Sequence, residues 1–236
     1  MEKVLAKVFL SMQFAVSGRT VEIFSNAEGK TPLVILNTIQ GEGAKIFDKC
    51  LEFGCNDFTL AAISGLNWNY DLSPWETPEI RNNRYNFGGA DEYIYQLTGE
   101  ILPAILSKLP ESPEFTAIAG YSLAGLFALY AAYKTDVFSR VASVSGSLWF
   151  PDFTKFVQSH DFAKQPEIIY LSLGESEAKT RDKNLSSVHE NTEFLADLYK
   201  SHGITTIFEL NPGNHFTDTI GRTAKGIKKI IDTVSK

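Results

Sequence analysis

The sequence predicts an α/β fold in which helices cover both faces of a mostly parallel sheet. Strand-like and helix-like segments alternate for nearly the full length of the 236 residues, which is typical of repeated strand–helix units. Several strand-like segments, such as residues 32–38 and 167–174, are continuous apolar runs, and these indicate strands buried on both faces. Two strand-like segments precede the first helical pattern, so we expect the chain to open with a hairpin.

The predicted strands are bounded by glycine, proline and polar residues. Apolar residues alternate from Val4 to Leu10 in the first strand, and Gly18 provides the turn to the second. In chain order, the predicted strands span residues 3–14, 19–26, 32–38, 58–64, 115–121, 140–148, 167–174 and 204–210.

The predicted helices have apolar stripes or end at a glycine. Gly54 ends the first helix, and Gly203 caps the fourth. The stripe of the second helix consists of Tyr93, Leu97, Ile101 and Ile105. In chain order, the predicted helices span residues 44–54, 91–106, 125–133, 185–203 and 220–234.

Residues 65–88 are a long polar and aromatic stretch rich in Asn, Pro and Trp, and residues 149–166 are expected to be irregular. The sequence shows no internal repeat, low-complexity segment or linker. Residues 1–236 are therefore predicted to form a single domain without a large separate lid.

The composition limits the classes of partner. Hydrophobic residues make up 44% of the chain and the formal net charge is −6, which argues against nucleic acid or an anionic membrane as the main partner. No apolar run reaches the roughly 18 residues of a membrane span. The N-terminus lacks the pattern of a signal peptide, so a cytoplasmic protein is expected. Cys50 and Cys55 have the spacing of neither a metal site nor a redox pair, and two half-buried thiols are expected.

The segment "GYSLAG", residues 120–125, places Ser122 in a tight turn between a strand and a helix. In the pattern Gly-x-Ser-x-Gly, such a turn presents a nucleophilic serine, and small residues are needed two positions before and after it. Gly120 fills the first position, and Ala124 replaces the second glycine. The same residues also suit close packing of a helix on a strand, so this segment alone leaves both interpretations open.

A nucleophilic serine needs a base, and histidine is the usual one. The sequence has four histidines. His215 follows the last predicted strand in a Pro-Gly-Asn turn, so it is expected at the same edge of the sheet as Ser122. His189 and His202 lie within a predicted helix and His160 lies in a polar stretch, so His215 is the candidate base.

The third residue must be a carboxylate that orients the histidine. Glu177 follows the penultimate strand and is the first choice, with Glu175 as the alternative. Asp182 lies further along the same loop, and Asp152 and Asp161 are weaker candidates after the preceding strand. A solvated acidic turn is the structural alternative for all of them.

Two backbone N–H groups are expected to stabilise the oxyanion. One belongs to Leu123, which follows the serine, and the other to the loop after residues 32–38. That loop offers Ile39 or Gln40, with Gly41 and Gly43 beside them.

Aromatic side chains are candidates for substrate binding. Trp68, Trp75 and Trp149 follow strand ends and could stack on an aryl group or a sugar, although packing within the loops is slightly favoured. Arg181 and Arg222 lie near the proposed acid and base in the sequence, and solvated surface charge is the expectation for both.

These residues resemble those of the α/β-hydrolases, in the branch called the putative esterase family. That branch includes enterochelin esterases, esterase D (S-formylglutathione hydrolase), feruloyl esterases and mycolyltransferases. The resemblance runs from about residue 32 to the C-terminus and rests on "AGYSLAG", "VSGSLWF", "LSLGESE", "GNHF" and the aromatic "LNWNYDLSPW" before "FGGADEY". Ala124 departs from the glycine often found in this family, and Glu177 departs from the more frequent aspartate.

The resemblance implies an α/β-hydrolase fold with Ser122 as nucleophile, His215 as base and Glu177 as acid. The predicted function is that of a serine esterase, which cleaves a small-molecule ester through an acyl-enzyme and requires no metal or cofactor. Two alternatives stay open. One is an acyltransferase that uses the same acyl-enzyme, and the other is a non-catalytic binding protein on the same fold. The sequence leaves the oligomeric state open.

Overall fold

Within the residues that the computed structural model describes (10–27, 29–77 and 86–234), eight strands form one sheet. The strands are β1 (Leu10–Val16), β2 (Arg19–Ser25), β3 (Leu33–Asn37), β4 (Thr59–Ser64), β5 (Thr116–Tyr121), β6 (Arg140–Val144), β7 (Ile168–Gly174) and β8 (Thr205–Asn211). Their spatial order is β1-β2-β4-β3-β5-β6-β7-β8. The pairs β1–β2 and β2–β4 are antiparallel and the other pairs are parallel, so the predicted α/β fold with a mostly parallel sheet is confirmed.

The opening hairpin is confirmed. Ser17 and Gly18 connect β1 to β2, and both have positive φ angles, of 51° and 72°. Two left-handed residues in succession give a turn whose twist matches that of the two strands. Residues 3–9, which were also predicted as part of the first strand, lie outside the described residues.

Helices cover both faces of the sheet. They are α1 (Gly43–Glu52), α2 (Trp68–Asp71), α3 (Ala90–Gln96), α4 (Leu102–Leu106), α5 (Leu123–Lys134), α6 (Phe153–Ser159), α7 (Lys183–Ser186), α8 (Val188–Ser201) and α9 (Thr219–Asp232). α1 and α9 pack on one face, whereas α3, α5 and α8 pack on the other. β3 shows why its run is wholly apolar: Leu33 and Ile35 point into one core and Val34 and Leu36 into the other.

A π-helical turn, Leu97–Ile101, joins α3 to α4. The predicted stripe of this segment recurs every four residues, and all four of its side chains are buried. An α-helix has about 3.6 residues per turn, so a strict spacing of four drifts away from one face. The wider π turn offsets this drift and keeps the stripe on the core.

The structure corrects two expectations. Residues 149–166 are not wholly irregular, because α6 lies within them and buries Phe153 and Val157. The sixth strand ends at Val144 rather than at residue 148, because Ser145 has a φ of 45° and leaves the extended conformation.

Cys50 and Cys55 are free thiols, and both are buried rather than half-buried. Among the described residues, no helix combines the length and the apolar character that crossing a bilayer requires. The single domain without a separate lid stays a prediction.

Candidate active site

The connection from β5 to α5 is a strained turn centred on Ser122. Its backbone has a φ of 59° and a ψ of −122°, which a residue with a side chain rarely adopts. The last residue of β6 and the loop after it hold this conformation through two backbone hydrogen bonds. Ser122 N–H donates to Val144 O at 3.0 Å, and Ser147 N–H donates to Ser122 O at 3.0 Å.

The small residues around the serine allow this turn to form. A Cβ atom on Gly120 would lie 2.1 Å from the carbonyl oxygen of Ala124, so β5 and α5 are in backbone contact. A Cβ atom on Gly125 would lie 3.0 Å from Gly120 O and from atoms of the loop after β6. The two interpretations of "GYSLAG" therefore coincide, because the close packing is what positions Ser122.

His215 joins Ser122 to Glu177 through hydrogen bonds at the carboxyl edge of the sheet. The Ser122 Oγ to His215 Nε2 distance is 3.0 Å, and the His215 Nδ1 to Glu177 Oε2 distance is 2.8 Å. The three residues follow β5, β8 and β7, so three strand ends bring them together. Glu175 is exposed, and within the described part of the chain no hydrogen bond or ion pair joins its carboxylate to His215.

The other three histidines lie elsewhere. His160 stacks on Phe156 beside α6, His189 lies on α8, and His202 is the residue after α8 ends. None of them lines a cavity with Ser122 among the described residues.

The Glu177 carboxylate is buried and heavily hydrogen-bonded, with 4% of its side chain exposed. Burial by itself raises the pKa of Glu177, but the hydrogen bonds from His215, Gly174 N–H and Ser145 outweigh it and hold the pKa below its usual value. The Oε1 atom accepts from Gly174 N–H at 2.5 Å and from Ser145 Oγ at 2.8 Å. The carboxylate is therefore stabilised in its charged form.

Arg222 is not a solvated surface charge, as the sequence had suggested. Its side chain is only 3% exposed, and Nη1 donates to Glu177 Oε1 at 3.1 Å. Its Nη2 donates to Pro212 O at 2.7 Å, in the loop that carries His215. Arg181, the other arginine considered, is exposed.

Sequence reasoning missed Tyr121 and Ser145. Tyr121 Oη donates to the backbone oxygen of His215 at 2.6 Å, and burial raises the pKa of this phenol. Ser145 Oγ donates to Glu177 Oε1. The available signals were the position of Tyr121 directly before Ser122 and the position of Ser145 at the start of "SGSLWF".

Two cavities meet at Ser122 and His215. The first has a volume of about 200 Å³ and is lined by Trp68 and by residues of β3, α1, α9 and the loop after β3. The second has a volume of about 220 Å³ and is lined by Trp149 and by residues after β6 and β7. Phe216 lines both cavities, so it lies between them.

Trp75 is not brought to this site. Its Nε1–H donates to Pro151 O at 3.2 Å, and its ring packs against Tyr130, Phe150 and Phe156. It is therefore a packing residue, whereas Trp68 and Trp149 each line one of the two cavities.

The three residues considered for oxyanion binding differ in their backbone contacts. Gln40 N–H donates to Glu42 Oε2 at 2.7 Å, so it is already engaged. Within the described residues, the N–H groups of Leu123 and Ile39 have no acceptor. Ile39 lines the first cavity together with Ser122.

A family model described as "Putative esterase" matches residues 65–218. The chain belongs to this esterase family. The expectation of an enzyme that acts on ester bonds is therefore confirmed. No curated protein matches the sequence of this esterase.

Solved structures share the fold of the esterase at low sequence identity. An IroE-like serine hydrolase from Shewanella oneidensis matches with a TM-score of 0.76 and 19% identity, over 95% of this chain and 80% of that one. The siderophore hydrolase EstA from Aspergillus nidulans matches with a TM-score of 0.71 and 20% identity, over 92% of each chain. The predicted α/β-hydrolase fold is thus confirmed.

Within the described part of the esterase, no three His, Cys, Asp or Glu side chains gather in a way that could hold a metal ion.

Proposed function

We propose that this esterase is a serine hydrolase of the carboxylesterase type. His215 takes the proton of Ser122 Oγ, and Ser122 attacks the ester carbonyl carbon. His215 then protonates the leaving alcohol, and an acyl-enzyme remains on Ser122 until His215 activates a water molecule that cleaves it.

The observation that carries this proposal is the unbroken hydrogen-bonded chain from Ser122 Oγ through His215 to Glu177. In this arrangement His215 Nδ1–H donates to Glu177, so Nε2 is free to accept the proton of Ser122. The buried, ionised carboxylate then stabilises the imidazolium that forms during the attack.

The developing oxyanion would be held by the N–H groups of Leu123 and Ile39. Both lack an acceptor in the described part of the chain, whereas Gln40 N–H donates to Glu42. We therefore assign the second donor to Ile39. Each such donor contributes about 3 kcal/mol to stabilising the transition state.

Fluorophosphonate labelling tests the proposal directly. We expect the wild-type protein to take one label, on the peptide that contains Ser122, and to release p-nitrophenol from a short-chain ester. Ser159→Ala removes an exposed hydroxyl at the end of α6 and serves as the matched control for Ser122→Ala. This control variant is expected to take the label fully. A wild-type protein with neither label nor turnover would support the binding-protein alternative.

The same assay separates hydrolysis from acyl transfer. An acceptor alcohol or thiol is added, and the products are counted by mass spectrometry. We expect free acid to be the main product. If the main product instead carries the acyl group on the acceptor, the protein is an acyltransferase rather than a hydrolase.

A further inference from the structure

Two large apolar side chains are exposed at the mouth of the first cavity. Phe216 is 83% exposed and Ile39 is 65% exposed, and both line the cavity beside Ser122 and His215. Apolar side chains that are left in water at the rim of a cleft indicate a surface that a ligand covers.

The interior of this cavity is also apolar. Leu36, Ile46, Trp68 and Ile220 line it. Two of its polar side chains already donate to protein groups: Thr38 Oγ1 to Ile63 O at 3.2 Å and Thr223 Oγ1 to Thr219 O at 2.7 Å. Asn37 Oδ1 accepts from Tyr93 Oη at 2.7 Å, and its Nδ2, which is buried, is the one donor of these three side chains without a partner among the described residues.

The size and charge of the cavity further limit the chemical groups that it can bind. Its volume is about 200 Å³, and an apolar protein cavity of about 150 Å³ accommodates benzene. Among the described residues that line it there is no lysine or arginine, and Glu42 contributes a carboxylate. An anionic group is therefore disfavoured.

Resting on the proposed function, we propose that the first cavity binds an uncharged apolar group of the ester, about the size of one aromatic ring or a short alkyl chain. Phe216 and Ile39 cover the outer side of this group. The other half of the ester lies in the second cavity, across Phe216.

Two matched ester series test this site. One lengthens the acyl group from acetyl to decanoyl on a fixed alcohol, and the other lengthens the alcohol on a fixed acetyl group. We expect kcat/KM to rise about fourfold per methylene up to about six carbons in one series and then to level off. Phe216→Ala is expected to lower kcat/KM for the preferred ester at least tenfold more than for the shortest one. Tyr95→Ala removes an aromatic ring that is 76% exposed on α3 and serves as the matched control with unchanged kinetics.

The outcomes separate this inference from the proposed function. Turnover that depends on Ser122 but is flat in both series would overturn the apolar site and leave the serine hydrolase intact. A preference for an anionic catecholate ester over the matched neutral ester would also overturn it. A wild-type protein that takes no fluorophosphonate label at Ser122 would instead contradict the proposed function.

A separate observation concerns Arg222, which connects the acid and the base of the site. Its guanidinium contacts Glu177 Oε1, Ser145 Oγ at 3.2 Å and Pro212 O. Arg222, Ser145 and Gly174 N–H all donate hydrogen bonds to Glu177 Oε1. The other carboxylate oxygen, Oε2, is therefore available to His215 Nδ1.

We infer that Arg222 is a positioning residue for the catalytic pair. It fixes the rotation of the Glu177 carboxylate, and through Pro212 it fixes the loop that carries His215. Among the described residues, Glu177 after β7 and Tyr121 on β5 contact His215, and Arg222 on α9 is hydrogen-bonded to both of them. Glu42 lines the same cavity as His215.

A change in the pH profile distinguishes this role from a structural one. Without the Arg222 cation, one positive charge is missing beside the Glu177–His215 pair, so the positively charged state of the site in which the pair is protonated is less disfavoured. In Arg222→Met we expect kcat/KM to fall at least tenfold and its acidic limb to move to higher pH. Arg222→Lys keeps the charge, so its limb is expected to stay in place with a smaller loss of rate.

A double-mutant cycle covers the case in which Arg222→Met folds poorly. In a Glu177→Gln background the carboxylate that Arg222 orients is gone, so we expect Arg222→Lys to change kcat/KM less than twofold there but about fivefold or more in the wild type. Equal effects in the two backgrounds, or an unmoved acidic limb beside a lowered melting temperature, would reduce Arg222 to a structural role.

Discussion

Replacing Ser122 with alanine is expected to lower kcat for a p-nitrophenyl ester by about 10⁴-fold or more. The reason is that, among the described residues, Ser122 has the only hydroxyl that is hydrogen-bonded to His215 Nε2, at 3.0 Å. Folding should be largely retained, because the hydroxyl contacts only His215 and Ser147 among the described residues. Steady-state kinetics and a thermal melt, with Ser159→Ala as the control, measure both effects.

The companion variant His215→Gln is expected to lose a similar factor, and the double variant is expected to lose little more. Residues that act as one unit give such non-additive losses, whereas independent residues would give multiplied ones. A Ser122→Ala enzyme that keeps more than a tenth of the wild-type kcat would show that another group performs the attack.

Replacing Gly120 with alanine is expected to destabilise the fold by about 3 kcal/mol or more. The added Cβ would lie 2.1 Å from Ala124 O, which is a backbone atom, so rotating a side chain cannot relieve the clash between β5 and α5. Urea unfolding of the two proteins measures the difference. Any folded fraction should also lose activity, because the same backbone contact of β5 and α5 positions Ser122.

Gly99→Ala is the matched control for this substitution. A Cβ atom at Gly99 would have no atom within 4 Å. We expect its free energy of unfolding to stay equal or to rise by up to about 1 kcal/mol, because alanine favours helix more than glycine does. If Gly120→Ala unfolds at the same urea concentration as Gly99→Ala, the backbone contact of β5 and α5 is not the constraint that we describe.

The strand ends explain why much of the site could be predicted from the sequence. Ser122, Glu177 and His215 each follow an apolar run, and parallel strands place their carboxyl ends at one edge. The position of each residue after a predicted strand was therefore enough to predict that the three residues lie close together. The same reasoning placed Ile39 beside them, after β3.

The residues that support this group could not be predicted in the same way. Arg222 meets Glu177 because α9 packs against β6 and β7 and places Arg222 beside Gly174, the last residue of β7. The contact also depends on the direction of a long side chain, which no periodicity in the sequence encodes. Trp75 and Trp68 show the same limit. Both follow β4 in one aromatic stretch, yet one packs against α6 and the other lines a cavity.

The order of these residues along the chain has a consequence for protein synthesis. His215 follows Ser122 by 93 residues, and Arg222 on α9 follows later still. On the proposed mechanism, a chain emerging from the ribosome presents its serine long before it has a base. The growing polypeptide is therefore inert toward cellular esters, and it gains activity only when β8 and α9 have docked.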